Sequence, residues 1–248
     1  MHLSAFSPVY ELMLGRNHTP YYPPYTSDLL VVMKETSNLH HDLIPYIKSH
    51  TYQATQTGVP VMRALFLEIP NDDSAYDITD EYFFGSEMLI APIVTAGGNR
   101  SVYFPGDSST QYLEYFNKTS IHRGGSSINV QLNAHGVPAY VKAGSIVPRG
   151  DIYQGNNLWT EHWEADLEIE LYPSFDVGYS NFEYYSGDNG LQTIRMIVDR
   201  VGRSVRVEYG AVGVNGRMVL FEMGGMRNAT VSAQGGTAVF CEFESLFE

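Results

Sequence analysis

Short apolar runs separated by Gly, Pro and Asn recur along most of the chain, and this pattern restricts the fold more than any other feature. Between residues 59 and 149 the runs cover residues 61–69, 88–94, 101–104, 128–132, 139–141 and 146–147. Their lengths and their turn-forming boundaries predict β-strands. Because these strands follow one another without helices between them, they favour an antiparallel sandwich.

A second group of runs follows a polar linker at residues 154–157. Strands are predicted at residues 167–172, 182–185, 193–198, 204–209, 217–222 and 238–243. The segment SGDNG at 186–190 predicts a hairpin turn between two of these strands, and Asn215-Gly216 predicts another tight turn. The pattern indicates a second, smaller β-sandwich.

A helical pattern is confined to the region before Gly58. Ser27 can cap a helix that runs to residue 57 with apolar residues at helical spacing. Pro45 lies inside this pattern and lacks a backbone N–H, so we expect a kink or two abutting helices there. Gly58 and Pro60 predict the end of the helix. This amphipathic helix needs a partner surface that the short preceding segment can hardly supply.

The composition excludes several classes of protein. Of the 248 residues 44% are hydrophobic and 17% charged, which argues against disorder. The net charge of −13 would repel a phosphate backbone and an anionic bilayer, so neither nucleic acid nor a membrane is an expected partner. No apolar run approaches the ~20 residues that span a bilayer. The first six residues do not have the pattern of a signal peptide.

The single cysteine and the Asn-x-Ser/Thr motifs bear on compartment. Cys241 cannot form a disulfide within the chain, and we expect it to be a small buried apolar residue. Asn-x-Ser/Thr acceptors begin at Asn17, Asn99, Asn117 and Asn228. Such motifs arise often by chance, so they hint at a secreted parent without assigning a location.

Five segments carry a resemblance to a known family. They are TGVPVMRALFLE at 57–68, DEYFFGSEMLIAPIV at 80–94, RSVYFP at 100–105, AGSIVP at 143–148 and YYSGDNG at 184–190. In order and spacing they resemble the C-terminal part of glycoside hydrolase family 31, which includes α-glucosidases and α-xylosidases. The resemblance extends over nearly the whole chain.

The resemblance implies a mainly β fold, in which a helical remnant of a (β/α)₈ barrel precedes two antiparallel β-sandwich domains. The expected division is residues 1–58 for the last barrel strand, loop and helix, 59–151 for the proximal sandwich and 152–248 for the distal sandwich. Members of the family hydrolyse O-glycosyl bonds of carbohydrates with retention and need no cofactor. Their two catalytic aspartates lie on earlier barrel strands, so no catalytic residue is assigned here and the chain alone is expected to be inactive.

The resemblance also implies a substrate-binding group. The family places an Arg-x-His at the end of the last barrel strand, and Arg16-Asn17-His18 matches it. A neutral imidazole at His18 can donate to one sugar hydroxyl and accept from another. Tyr21 belongs to an aromatic, proline-rich segment that could stack on a sugar ring or pack against the following helix. A loop histidine without a role is the alternative for His18.

Other acidic and imidazole groups have simpler structural explanations. Asp72 and its neighbours predict a turn with capping aspartates. Arg63 is expected to form an ion pair with Asp80 or Glu81. His40 and His41 are adjacent on a helix and point about 100° apart, so they do not chelate a metal together, and no metal site is expected.

Two further functions are compatible with the same residues. A non-catalytic carbohydrate-binding or scaffold protein could use an aromatic platform at Trp159 and Trp163. A structural subunit could instead dock on a separately encoded barrel through the helix at 27–57. A truncated coding sequence that lacks the barrel segment is the preferred explanation. The choice of sugar, and of hydrolysis or transfer, stays open.

Overall fold

The computed structural model describes residues 2–11, 27–94, 97–131, 136–151, 166–213, 215–223 and 225–247. Its helices are α1 (His2–Ala5), α2 (Ser27–Asp42), α3 (Ile44–Thr57) and α4 (Leu65–Glu68). Its strands are β1 (Met62–Arg63), β2 (Tyr82–Phe84), β3 (Met88–Ile90), β4 (Asn99–Phe104), β5 (Gln111–Glu114), β6 (Ile121–Arg123), β7 (Ser126–Gln131), β8 (Ala139–Lys142), β9 (Ser145–Asp151), β10 (Asp166–Tyr172), β11 (Tyr179–Tyr185), β12 (Leu191–Asp199), β13 (Ser204–Tyr209), β14 (Gly216–Glu222), β15 (Gly225–Val231) and β16 (Gly236–Phe240). The predicted mainly β fold with an N-terminal helical part is confirmed.

The long helical segment is two abutting helices, which is one of the two outcomes that Pro45 predicted. Helix α2 ends at Asp42, and α3 begins directly after Leu43 with Pro45 in its first turn. A first-turn proline is tolerated because its missing N–H would lack a helical partner there. Gly58 ends α3 in the left-handed region, with φ of 76°, and its N–H donates to the carbonyl of Ala54 at 2.9 Å.

The first sandwich is built from two antiparallel sheets. Its larger sheet has the strand order β1-β2-β3-β8-β5-β6, and β4 pairs with β7 in the smaller one. The aromatic rings of Phe104 and Tyr140, one from each sheet, meet edge to face at 4.8 Å between centroids. Tyr112 is fully buried in the same apolar cluster, as are Phe83 and Val102. This cluster forms the core between the two sheets.

The opposite face of the larger sheet packs against the helices. Tyr46 of α3 contacts Phe84 at 5.4 Å between ring centroids, and Phe6 meets the same ring edge to face at 6.1 Å. Leu43, between α2 and α3, is also fully buried in this cluster. The sheet is therefore apolar on both faces, which explains the continuous apolar sequence of strands such as β3.

The second sandwich consists of the sheets β15-β14-β10-β9 and β11-β12-β13-β16. Strands β10 and β14 run parallel, so the antiparallel arrangement has an exception here. The chain passes through three strands of the other sheet between β10 and β14, and a long crossover is what allows parallel pairing. Strand β9, within the range expected for the proximal sandwich, pairs with β10 along its whole length. The domain boundaries stay a prediction.

One predicted strand is wrong. Residues 61–69 form the two-residue strand β1 and then the single helical turn α4. Leu65 is fully buried, whereas Phe66 and Leu67 are 37% and 49% exposed. Short apolar runs do not distinguish strand from helix by themselves, and burial of only one position in three suits a helical turn. Four strands were not predicted from the sequence: β2, β5, β6 and β15.

The expected burial of Cys241 is also wrong, because its side chain is exposed. It follows directly after β16, whose last residue Phe240 is buried, so the alternation of an extended chain turns the cysteine outward. None of the helices within the described ranges is both long enough and apolar enough to cross a membrane.

Candidate functional site

Residues 5 and 6, shortly before the predicted sugar-binding segment, are held in the core. Ala5 and Phe6 are fully buried. The hydroxyl of Tyr82 on β2 donates to the carbonyl of Phe6 at 2.9 Å, and Nδ1 of His40 on α2 lies 3.3 Å from the carbonyl of Ala5. Burial lowers the pKa of His40. Ala5 and Phe6 therefore form a first anchor for the chain before residues 12–26, because they contact both α2 and the larger sheet of the first sandwich.

Tyr10 provides a second anchor just before the segment. Its hydroxyl lies 2.7 Å from Oγ1 of Thr36, which itself donates to the carbonyl of Val32 at 2.7 Å. The Tyr10 ring also lies 5.5 Å from the His40 ring. Tyr10 thus contacts α2 shortly before residues 12–26, and α2 itself begins directly after them, at Ser27.

Arg16, His18 and Tyr21 fall in residues 12–26, outside the described residues, so their roles stay predictions. The same holds for Trp159 and Trp163 of the alternative carbohydrate-binding hypothesis. What the structure supplies is the support on either side of residues 12–26.

A buried polar network lies beneath α3 and holds it to the first sandwich. Oε2 of Glu87 accepts hydrogen bonds from the Tyr46 hydroxyl at 2.6 Å and from Nε2 of His50 at 2.9 Å. Its Oε1 accepts from the Ser86 hydroxyl at 2.7 Å. Burial alone would raise the pKa of Glu87, but the imidazole and these hydrogen bonds lower it to about 2. The carboxylate is thus ionised and fully committed to positioning the helix.

Gly85 makes the close approach of α3 possible. Its φ is +65°, and a Cβ built there would lie 2.0 Å from the Tyr46 hydroxyl oxygen and 2.4 Å from Nε2 of His50. The backbone needs both the left-handed conformation and the absence of a side chain at this position. The segment FFGSE of the sequence therefore has a packing reason for its glycine.

A charged cleft of about 530 Å³ lies where α2 approaches the second sandwich. Asp42 and Glu168 line it together with Arg149 and Arg217. Asp42 Oδ2 lies 2.7 Å from Arg149 Nη2, and Glu168 Oε2 accepts from Arg217 Nε at 2.7 Å. Each carboxylate is engaged by a guanidinium, so neither is placed as the free acid that glycoside hydrolysis requires.

The carboxyl group of Glu81 has a shifted pKa but is not accessible to a substrate. Burial raises its pKa to about 7, while the N–H of Tyr103 and the guanidinium of Arg100 act in the opposite direction. Its side chain is 2% exposed, and Arg100 Nη2 lies 2.7 Å from its Oε1. A general acid must reach its substrate, so Glu81 is a structural residue. The expected pairing of Arg63 with Asp80 or Glu81 is wrong, since Arg63 binds Glu68.

Asp72 caps a turn, as expected. Its Oδ1 accepts from the N–H of Ser74 at 3.0 Å at the start of a short 3₁₀ helix. Its Oδ2 accepts from the Tyr103 hydroxyl at 2.6 Å and from the N–H of Gly106 at 2.7 Å. These hydrogen bonds outweigh burial and lower the pKa of Asp72. Within the described ranges, no three metal-ligating side chains lie close enough to hold an ion.

No local sequence pattern indicates the Glu87 network. Tyr46 and His50 are one helical turn apart, but Glu87 follows 37 residues after His50, and no local pattern joins them. In the sequence, Glu87 stands out only as one residue of the segment at 80–94 that carries the family resemblance.

Comparison with known proteins agrees with this architecture. Residues 58–147 match the family model of the glycosyl hydrolase family 31 C-terminal domain. Alpha-glucosidase 2 of Bacillus thermoamyloliquefaciens is 29% identical over 190 residues, covering 74% of this chain and 22% of the relative. The isomaltosyltransferase of Sporosarcina globispora is 39% identical over 146 residues, covering 55% of this chain and 13% of the relative.

Among solved structures, the cycloalternan-forming enzyme of Listeria monocytogenes superposes with a TM-score of 0.80 at 20% identity. The match covers 98% of this chain and 27% of that enzyme, and at this identity it shows the fold alone. The chain therefore spans about a quarter or less of the length of these relatives. The matched residues, the order of the helices and the two sandwiches together show that the chain belongs to glycoside hydrolase family 31 and corresponds to its C-terminal part.

Proposed function

We propose that this chain is the C-terminal portion of a retaining α-glycosidase that acts on O-glycosyl bonds of carbohydrates. The observation that carries the proposal is the family match at residues 58–147, which begins directly after the end of α3 at Thr57. Relatives named as glucosidases and as glucosyltransferases match the same chain. We therefore do not specify whether water or a second sugar accepts the transferred glycosyl group.

The proposed catalytic carboxylates belong to a barrel outside these residues. Retaining hydrolysis requires two carboxyl groups about 5–5.5 Å apart, one of them held protonated. Asp42 and Glu168 are engaged by arginines, and Glu81 is enclosed. In this proposal residues 1–58 complete the barrel, and residues 59–151 and 152–248 are the proximal and distal sandwiches. Arg16, His18 and Tyr21 contribute to the sugar subsite.

The anchors described above support a scaffolding role for the described residues. Ala5, Phe6 and Tyr10 hold the chain before residues 12–26, and α2 holds it afterwards. A substrate-binding group must be fixed relative to the reacting carboxylates, because small misplacements of a binding group reduce the rate strongly. The network at Glu87 extends this support from α3 to the first sandwich.

The coding sequence before the codon of Met1 tests the proposal. An open frame that encodes barrel strands with two strand-terminal aspartates is the expected result. An in-frame stop codon directly upstream, in a gene that yields the folded chain, would contradict the proposal and favour the carbohydrate-binding or scaffold alternative.

An assay on the purified chain tests the placement of the carboxylates. No release of nitrophenol from nitrophenyl α-glucoside or nitrophenyl α-xyloside is expected. Sustained release that survives further purification and is lost on replacement of Asp42 or Glu168 by the amide would show that this chain holds its own acid pair.

A further inference from the structure

The turn between β5 and β6 places a lysine amine among three aromatic rings. Nζ of Lys118 lies 4.0 Å from the ring centroid of Tyr115 and 4.9 Å from those of Tyr172 and Phe221. Lys118 has a φ of 57°, and its backbone N–H donates to the carbonyl of Glu114 at 3.0 Å. The left-handed conformation is unfavourable for a residue with a Cβ. The turn accepts this strain and directs the amine from the first sandwich into the second.

A proton path leads away from this amine. Nζ of Lys118 donates to the hydroxyl oxygen of Tyr172, and that hydroxyl donates to Oε2 of Glu170 at 2.6 Å. The same Oε2 lies 3.5 Å from Nζ. Glu170 is only 3% exposed, so water does not compete strongly for these groups. Arg149 Nη1 lies 3.3 Å from the other oxygen of this carboxylate, Oε1, so Oε2 is the oxygen that faces Tyr172 and the amine. The ammonium can release a proton through Tyr172 to Oε2 while the total charge of Lys118, Tyr172, Glu170 and Arg149 stays constant.

A groove of about 690 Å³ opens beside the Lys118 side chain. Its apolar lining residues come from both sandwiches and are Ile121, Phe221, Met223, Met226 and Leu246, and the polar residues Asn117, Thr119 and Glu222 line it as well. The Lys118 side chain is 20% exposed and is itself part of the lining. A small molecule with an apolar tail can therefore lie on these residues with its polar end at the amine.

Burial also makes the amine more available for reaction. It lowers the pKa of Lys118 to about 8, although Glu170 acts in the opposite direction. At pH 7 roughly a tenth of such an amine is neutral, against less than about a thousandth of a lysine with the ordinary pKa. Desolvated lysines of this kind are the ones that form imines with carbonyl compounds.

We propose that Lys118 is an imine-forming amine and that the adjoining groove binds a small aldehyde with an apolar tail. The Nζ lone pair forms a bond to the carbonyl carbon as the C=O π bond breaks, and one of the two nitrogen protons passes to the carbonyl oxygen to give a neutral carbinolamine. The C–O bond then breaks as Glu170 returns to the departing hydroxyl, through Tyr172, the proton that it took from the ammonium. The products are a protonated imine, which keeps the last nitrogen proton, one water and the Glu170 carboxylate.

Reductive trapping tests the inference on the full chain. The chain has four lysines, at positions 34, 48, 118 and 142, so three lysines and the amino terminus serve as internal controls. The chain is incubated at pH 7 with 4-methylbenzaldehyde and cyanoborohydride, and the modified peptides are quantified by mass spectrometry. Lys118 is expected to be modified about tenfold or more faster than each other lysine. Equal or slower modification of Lys118 overturns the proposal.

Two variants separate the chemistry from burial alone. Tyr172→Phe keeps the ring but removes the hydroxyl, and modification of Lys118 is expected to slow about a hundredfold, the lower end of the effect that is typical of one proton-transfer group. An unchanged rate would remove Tyr172 and Glu170 from the mechanism. Lys118→Met should abolish the fast phase and leave the other lysines unaffected. If this variant does not fold, the rates at the four lysines of the unaltered chain still show whether Lys118 reacts faster than the others.

Discussion

The backbone N–H of Tyr185 donates to Oγ of Ser49 at 3.0 Å, across 136 residues of sequence. Ser49 lies on α3 and Tyr185 ends β11, so this hydrogen bond ties the helical part to the second sandwich. Ser49 is fully buried and its own proton goes to the carbonyl of Pro45 at 2.7 Å. Beside it, the rings of Tyr52 and Tyr185 stack at 4.4 Å.

Ser49→Ala tests how much this hydrogen bond contributes. The change leaves a partly buried N–H without an acceptor, and we expect the free energy of unfolding to fall by about 1–3 kcal/mol. Urea unfolding followed by tyrosine fluorescence measures it. The control is Thr55→Ala on the exposed face of the same helix, which should change stability by less than about 0.5 kcal/mol. Equal effects of the two changes would contradict the assignment.

Gly85→Ala should destabilise the chain much more than Gly58→Ala. Both glycines have positive φ, at 65° and 76°, so each substitution carries the cost of a left-handed residue, about 1–2 kcal/mol. A Cβ at Gly58 has no atom within 4 Å, whereas one at Gly85 would overlap Tyr46 and His50. We expect an additional loss of about 2 kcal/mol or more at Gly85, from overpacking. Thermal unfolding of the two variants gives the comparison, and similar losses would show that α3 can move away without penalty.

The depressed pKa of Glu87 makes stability depend on pH in acid. The pKa of about 2 in the folded state lies below the ordinary glutamate value of 4.5, so the folded state binds fewer protons than the unfolded state between these values. The stabilisation is therefore present above pH 4.5 and is lost as the pH falls toward 2. A shift of this size corresponds to about 3 kcal/mol at neutral pH.

Glu87→Gln should remove most of that acid sensitivity, measured as the urea midpoint at pH 7 and at pH 3. The stability of the variant at pH 7 should approach that of the unaltered chain at low pH. Glu35→Gln on the exposed face of α2 is the matched control and should preserve the dependence. A Glu87 variant with unchanged pH dependence would mean that other carboxyl groups determine it.

Arg149 and Arg195 provide a contrast between a buried and an exposed ion pair. Arg149 contacts Asp42 at 2.7 Å and the nearly buried Glu170 at 3.3 Å. Arg149→Met leaves Glu170 with one fewer counterion, and we expect a loss of about 3 kcal/mol. Arg195→Met breaks an exposed pair with Glu208 at 3.9 Å, and the loss should stay below about 1 kcal/mol. Chemical unfolding of both variants measures the difference. A small loss of stability in Arg149→Met would show that water takes the place of the Arg149 guanidinium.

Much of the secondary structure could be predicted because it depends on neighbouring residues. Pro45 separates α2 from α3 through its missing N–H, and Gly58 ends α3 because it adopts positive φ without strain. The turn at 186–190 and most strands of the second sandwich follow from local alternation and turn chemistry. The family resemblance lies in the same local segments, and the fold class is confirmed.

The predictions that failed concern positions where burial decides between local alternatives. An apolar run such as 61–69 satisfies a strand or a helical turn, and only the burial of Leu65 beneath exposed neighbours selects the helix. Cys241 is apolar enough for the core, yet the register of β16 turns it outward. A sequence pattern does not specify which face of an element meets the rest of the molecule.

By itself the sequence determined the family, the interruption of the helical segment at Pro45 and the mainly β character, because these depend on residues a few positions apart. Only the tertiary structure decided that Ser49 accepts from Tyr185, that Glu87 lies beneath His50, and that Lys118 of one sandwich enters the aromatic rings of the other. Each of these contacts joins residues 37 to 136 positions apart or crosses between sandwiches. Their partners are chosen by how whole sheets and helices pack, and no local propensity carries that information.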